Sequence, residues 1–325
     1  MRIIIYGAGG IGGVIGAELF KRGHEVVLIA RGAHLDAIQR DGLKFASPHE
    51  NLVLPILAVG HPDEIEFRND DVVLMTMKSQ HTLGALEDLR TAAGEDIPVI
   101  CGQNGVANEL MALRRFRNVY GMTIYLPSDF LEPGAIMTHA AKLTGILDTG
   151  VYPYGVDDRI EAVMAVLETS NFSAKAVPDT MRWKYGKLLV NLVNGLGAVS
   201  PSGDIATEIR DSMRAEAIAC LDAAGIAYAS FDEMAVRRKG LMKNGLVNGQ
   251  ARVGSSTLQS LLRGNTDTEI DFLNGEIVQL GRLHNVPTPA NLIVQSASNK
   301  LAREGGAPQG TPLEELRDRI AQLGQ

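Results

Sequence analysis

Short apolar runs punctuate the first half of the chain at Arg2–Tyr6, Glu25–Ala30, Asp71–Thr76, Pro98–Gly102 and Val119–Leu126. Between them apolar positions recur with helical spacing, as in Gly10–Arg22 and His81–Thr91. Continuous apolar strands alternating with helices predict a parallel sheet covered on both faces. Two further runs, Ala135–His139 and Thr144–Leu147, predict strands that close this domain. Beyond about Pro178 the strand pattern stops. One long helix is predicted through MRWKYGKLLVNLVNGLGAV, then others over Thr207–Ala224, Phe231–Lys239, Thr268–His284 and Pro289–Arg303. Thr311 and Glu314, around Pro312, predict a capping box for a short last helix.

The first strand runs directly into Gly7-Ala8-Gly9-Gly10-Ile11-Gly12, and a helix and a second strand follow. Strand, glycine turn, helix and strand in this order form the dinucleotide fingerprint in its proper setting. Gly7 is expected to permit the tight turn, Gly9 to let the backbone approach a pyrophosphate, and Gly12 to let helix and strand pack closely. Gly10 and Ile11 open the helix, whose N-terminal amides and partial positive charge suit an anion. About twenty residues on, NAD-binding chains place an acid for the ribose 2′-hydroxyl. Here Arg31 stands nineteen residues after Gly12. Its planar, permanently charged fork suits a phosphate, so NADP(H) is expected in place of NAD(H). The fold class is therefore α/β: a Rossmann-type doubly wound sheet over residues 1–177, followed by an all-helical C-terminal domain over 178–325.

Composition narrows the picture further. Of 325 residues, 45% are hydrophobic and 21% charged, ordinary values for a globular protein with two cores. A net charge of −7 argues against nucleic acid or an acidic membrane as partner, so local groups must hold an anionic cofactor. Cys101 and Cys220 stand in no metal-ligand spacing, and no metal is expected. Two distant cysteines, a first strand at the very N-terminus and no apolar stretch of spanning length predict a cytoplasmic protein. A homodimer is compatible with this reading.

Polar residues at two strand ends are candidates for the ligand, which in such sheets binds beyond the carboxyl ends of the strands. Lys78, in Thr76-Met77-Lys78-Ser79-Gln80, is placed to reach a 2′-phosphate beside Arg31. Asn104, in Gln103-Asn104-Gly105, is placed for the nicotinamide ribose or the substrate. Ordinary exposed turns would use the same residue types. On the long helix, Lys187, Asn191 and Asn194 interrupt an apolar sequence at offsets of four and seven. At 100° per residue they share an arc of about 60°. Burying an amine and two amides without partners is costly, which predicts that they line a wet cleft between the domains. A second polar group lies in Gly254–Gln259 and Thr268–Asp271. Its serines suit a helix cap and Glu269 a first-turn acid.

In this order, GAGGIGG, LIARG, MKSQHT, GQNGVANE, WKYGKLLVN, SSTLQ and TEIDFLNGEIVQLGRLHNVPTPAN resemble the ketopantoate reductase family over residues 1–295. The resemblance implies NADPH-dependent reduction of a 2-oxo acid to a 2-hydroxy acid. It implies Arg31 and Lys78 as 2′-phosphate binders, Asn104 as the asparagine at the nicotinamide, and Lys187 as the catalytic lysine. It also implies Asn191 as a substrate ligand, Ser256 as a carboxylate ligand and Glu269 as the active-site glutamate, which would hold Lys187 or bond a substrate hydroxyl. Asn194 joins the substrate candidates as the nearest asparagine to a position, Gly195, where the family usually carries one. Two other departures accompany it: Ser202-Gly203-Asp204 replaces an Asn-Gly, and the stretch from Arg263 to Glu269 is one residue longer than usual. All three fall around the expected substrate, where they bear on which 2-oxo acid is taken. Competing readings are a 3-hydroxy acid dehydrogenase, which also uses Lys-x-x-x-Asn, and a redox sensor that binds NADP(H) without turnover.

Overall fold

The computed structural model describes residues 1–324. Twelve strands come first in the chain, interleaved with five helices. They are β1 (Arg2–Tyr6), α1 (Gly10–Lys21), β2 (Val26–Ile29), α2 (Gly32–Asp41), β3 (Leu43–Ala46), β4 (Asn51–Leu54), β5 (Leu57–Val59) and β6 (Asp71–Met75). Next come α3 (Thr82–Ala93), β7 (Val99–Cys101), α4 (Asn108–Leu113), β8 (Val119–Tyr125), β9 (Ser128–Asp129) and β10 (Ala135–Thr138). The series closes with β11 (Gly145–Val151), α5 (Asp158–Thr169) and β12 (Phe172–Ser173). The remaining helices are α6 (Thr180–Asn191), α7 (Val193–Val199), α8 (Asp204–Ala223), α9 (Phe231–Arg238), α10 (Ser256–Leu262), α11 (Asn274–His284), α12 (Pro289–Glu304) and α13 (Leu313–Leu323).

The main sheet has the order β12-β11-β8-β7-β6-β1-β2-β5. From β5 to β8 every pairing is parallel, and β11 joins β8 antiparallel. Strands such as Val26–Ile29 and Asp71–Met75 are buried along their whole length, which is why they read as unbroken apolar runs. The chain reverses direction across the sheet between β1 and β6, the switch point where doubly wound sheets bind ligands.

A second sheet, β4-β3-β10-β9, stands apart from the first. Ala135–Thr138 belongs to it and does not extend the main sheet, because its parallel partner is Leu43–Ala46, far away in sequence. Leu43 and Phe45 are buried while Lys44 is exposed, a period-two signal too short to stand out from its surroundings. Among the described residues no strand follows Phe172–Ser173.

Two compact units emerge, and they interleave along the chain. The first comprises Met1–Gln103, Ala107–Lys184 and Asp232–Arg252; the second comprises Asn104–Val106, Tyr185–Phe231 and the chain from Val253 onward. A single cut after residue 177 does not reproduce this division. The excursion Asp232–Arg252 belongs to the first unit because its polar groups are met there. Arg237 makes two 2.7 Å bonds to Asp148, Ala141 N–H donates to the Lys243 carbonyl (2.7 Å), and Gly245 N–H donates to that of His139 (2.8 Å).

In the second unit, Leu196 and Val199 of α7 pack with Met213 of α8, Val294 of α12 and Leu316 of α13. The asparagines of the FLNG and VPTPAN segments serve this core. Asn274 donates to Asn291 Oδ1 (3.0 Å), and Asn291 donates to Glu216 (2.7 Å). Glu216 also accepts from the amides of Ala290 and Asn291, the first-turn orphans of α12.

Three local expectations change. The helix through Lys187 and Asn194 breaks at Leu192, so Asn194 lies on α7 and Lys187 on α6. Thr268–His284 is interrupted as well: Glu269–Phe272 forms a 3₁₀ turn, and Leu273 (φ −117°, ψ −90°) leaves helical geometry before α11. Thr311 forms no capping box. Its N–H donates to Val199 and its carbonyl accepts from Ser200 Oγ, so tertiary bonds replace the local one.

Candidate active site

The glycine turn sits in the first unit at the switch point. Gly7 has φ +105°, and a Cβ there would lie 2.4 Å from Met77 N, in the loop after β6. A Cβ on Gly12 would meet Thr76 Oγ1 at 2.3 Å and the Gly7 carbonyl at 2.5 Å. Thr76 closes the same turn by donating to the Gly7 carbonyl (2.9 Å). The protein's own packing thus demands Gly7 and Gly12. Gly9 differs, since a Cβ there would make only an ordinary 3.8 Å contact with Phe130. Glycine at this N-cap leaves room beside the start of α1, the space a pyrophosphate would use. Gly10 and Ile11 form the first turn of α1, and Gly10 lies close to Ser128.

Arg31 follows β2 directly as the N-cap of α2 and is exposed, as are Gly32 and Ala33. The Tyr6 hydroxyl, at the end of β1, has its pKa pushed up to about 12, chiefly by burial and then by Asp88, with Arg31 opposing. Lys78 follows β6 and caps the short 3₁₀ turn Ser79–His81. These positions and the open glycine turn fit a dinucleotide carrying an extra phosphate.

His34 gave no signal in the sequence, yet it secures the turn. The Gly134 N–H donates to its Nδ1 (2.8 Å), so Nε2 carries the proton and donates to the Ala8 carbonyl (2.7 Å). Its ring centroid lies 4.5 Å from that of Phe130. Burial lowers its pKa below the ordinary 6.5, outweighing the Ala8 bond. The unfolded chain therefore takes up the proton first as pH falls. His34 contributes its full stabilisation above about pH 6.5 and loses it as pH drops below that value toward the depressed folded pKa. The melting-temperature gap between the wild type and His34→Phe should accordingly shrink as pH falls from about 7.5 to 5.5. A gap that ignores pH would refute the lowered pKa of His34.

The second unit carries the other candidates. Lys187 Nζ donates to Asn104 Oδ1 at 2.9 Å, and Asn191 Nδ2 donates to the same oxygen at 3.1 Å. An ammonium and an amide converge on one carbonyl oxygen although 83 and 87 residues separate them from it. Gly105 (φ +79°) brings this loop against the Glu269–Phe272 turn, and a Cβ there would lie 2.7 Å from the Phe272 carbonyl. Glu269 heads that turn and is buried. Asn194 contributes its backbone, since its carbonyl accepts from Ser255 Oγ (3.1 Å). Ser255 also caps α10 by accepting from Leu258 N–H (3.2 Å). Ser256, half-buried, is the first residue of that helix.

Gly195 explains why no asparagine stands at its position. A Cβ there would lie 2.4 Å from Ile270 Cδ1 and 3.0 Å from Ser298 Oγ. Gly195→Asn should overpack this contact and cost about 1–3 kcal/mol. Thermal unfolding tests this, and an unchanged or raised melting temperature would show the space to be larger than described.

Two lysines one helical turn apart on α6 have different surroundings. Lys184 is 4% exposed and donates to the carbonyls of Cys101 (3.2 Å) and Gln103 (3.1 Å) and to Glu109. Lys187 is half-buried. Among the described residues no cluster of His, Cys, Asp and Glu could hold a metal, and no helix is long and apolar enough to cross a membrane.

A Rossmann unit with an open glycine turn, together with a helical unit bearing a lysine–asparagine cluster, defines a nicotinamide-dependent oxidoreductase. The model of "Ketopantoate reductase PanE/ApbA" matches residues 3–152, and that of its C-terminal part matches 179–302. The chain belongs to the ketopantoate reductase family. It is 28% identical over 296 residues to 2-dehydropantoate 2-reductase of Pyrococcus horikoshii, covering 90% of this chain and 95% of that one. To the enzyme of the same name from Mesorhizobium japonicum it is 28% identical over 342 residues, covering 94% and 99%. Among solved structures, a PanE/ApbA family ketopantoate reductase from Ralstonia eutropha JMP134 aligns over 100% of both chains with TM-score 0.76 and 24% identity. D-mandelate dehydrogenase, solved with NADH and anilino(oxo)acetate, shares the fold with TM-score 0.76, 20% identity and 100% coverage of both chains.

Proposed function

We propose that the protein reduces a branched 2-oxo acid, 2-dehydropantoate or a close analogue, to the 2-hydroxy acid with NADPH. The observation that carries this reading is the convergence of Lys187 Nζ and Asn191 Nδ2 on a single oxygen. A pair of donors already aimed at one acceptor suits a carbonyl oxygen that gains negative charge. The first of the two compact units is assigned as the NADP-binding domain and the second as the substrate and catalytic domain. Gly7, Gly9, Gly10, Ile11 and Gly12 would hold the pyrophosphate, Arg31 and Lys78 the 2′-phosphate, and Asn104 the nicotinamide end.

When bound, NADPH supplies a hydride from its nicotinamide C4 to C2 of the acid. Lys187 stabilises the charge that develops on the carbonyl oxygen and gives that oxygen a proton, leaving a neutral amine that solvent reprotonates. Asn191 and Asn194 orient the acid, and Ser256 holds its carboxylate. Glu269 accepts from Lys187 or from a substrate hydroxyl. Cys101 and Cys220 are buried and unpaired with each other, which suits a reducing compartment, and we place the protein in the cytoplasm.

NADPH oxidation followed with ketopantoate, ketoisovalerate and other branched 2-oxo acids tests the proposal. Turnover with ketopantoate at a biosynthetic rate supports the named substrate. Turnover confined to another 2-oxo acid moves the assignment to that acid. No turnover with any of them, despite NADPH binding, overturns the enzyme reading in favour of a sensor.

A further inference from the structure

We propose that Lys184 and Glu109 form a positioning pair that sets the Gln103–Asn104 peptide, and through it the oxygen on which Lys187 and Asn191 converge. The inference rests on the reductase reading above. Lys184 lies one helical turn before Lys187 on α6 and does different work. Its ammonium has three N–H donors, and three acceptors surround it: the carbonyls of Cys101 and Gln103 and the carboxylate of Glu109. Cys101 is the last residue of β7, so these bonds hold the chain where it leaves the sheet.

The Gln103 side chain is held independently. Its amide donates to Thr82 Oγ1 (3.0 Å), Thr82 donates to Asn108 Oδ1 (2.8 Å), and Asn108 donates to Ser79 Oγ (3.1 Å). Backbone and side chain of the residue before Asn104 are therefore both fixed, and Asn104 inherits little rotational freedom. Lys184 is 4% exposed and Glu109 is wholly buried, so neither is placed to meet substrate. A buried ion pair is weak evidence of stabilisation, since well-packed neutral residues of similar size often do as well. Retaining charges here makes sense if the geometry they impose is what matters.

Lys184→Met alone leaves a carboxylate buried without its counter-charge and is expected to fold poorly. The double variant K184M/E109Q removes both charges at similar volume. It should fold, bind NADPH almost as the wild type does, and lose kcat by roughly 10- to 100-fold, the scale of a misplacement of about 1 Å. KM for the 2-oxo acid should change far less. In an Asn104→Ala background the same double variant should cost little more, because the residue it places is gone. An unchanged kcat, or equal fold-losses in both backgrounds, overturns the proposal.

If the wild type reduces no 2-oxo acid, the functional reading fails while the pair is still open to test. Amide hydrogen exchange over Gly102–Val106 should then be roughly tenfold faster or more in K184M/E109Q. Unchanged protection there overturns the proposal independently of turnover.

Discussion

Lys187→Ala is expected to lower kcat by about 10²- to 10⁴-fold, the usual contribution of a positioned acid. NADPH affinity should remain nearly unchanged, because Lys187 belongs to the Asn104–Asn191 cluster and not to the glycine turn. The variant should remain folded: Lys187 is half-buried, and its removal leaves Asn104 Oδ1 with Asn191 as a donor. Lys184 offers no substitute, since its amine is enclosed by two carbonyls and a carboxylate. Steady-state kinetics beside NADPH fluorescence titration would measure both quantities. A rate within a few-fold of the wild type would remove Lys187 from the chemistry and leave the proton donor unassigned.

Arg31→Glu should separate the two nicotinamide cofactors. A charge-assisted bond to phosphate contributes about 1.5–3 kcal/mol, so NADPH should bind roughly 10- to 100-fold more weakly, with repulsion adding to the loss. NADH carries no 2′-phosphate and should be held as well as before or better, because glutamate can accept from the ribose hydroxyl. Arg31 is exposed at the start of α2, so stability should hardly move. Dissociation constants for both cofactors decide the matter. Equal weakening of NADPH and NADH would mean that Arg31 acts on the shared part of the cofactor or on the fold.

The glycine turn was legible because its signals are local. Gly7 through Gly12, the apolar runs on either side and Arg31 all fall within one strand–helix–strand passage, where spacing alone implies geometry. The Lys187–Asn191 pairing was legible for the same reason, being four residues apart on one helix. Asn194 shares no single helix with that pair, because α6 ends at Asn191 and α7 begins at Val193, a break that apolar spacing does not register. The second sheet escaped notice since its strands have two to four residues, and β3 finds its parallel partner in β10 across most of the domain. His34 carries no local signal, because the groups on its two nitrogens, the Gly134 N–H and the Ala8 carbonyl, meet it only in the fold.

By itself, the sequence determined the alternation of β1, β2, β6, β7 and β8 with helices, the helical second half, the glycine turn, the arginine that follows β2, and the family. These depend on periodicity and on backbone constraints acting over a few residues. The tertiary structure alone decided which lysine is enclosed and which presents its amine, why Gly195 can carry no side chain, and how Asn104 comes to receive two donors. Such matters depend on groups 75 or more residues apart coming into contact, and a pattern of spacing holds no record of those meetings.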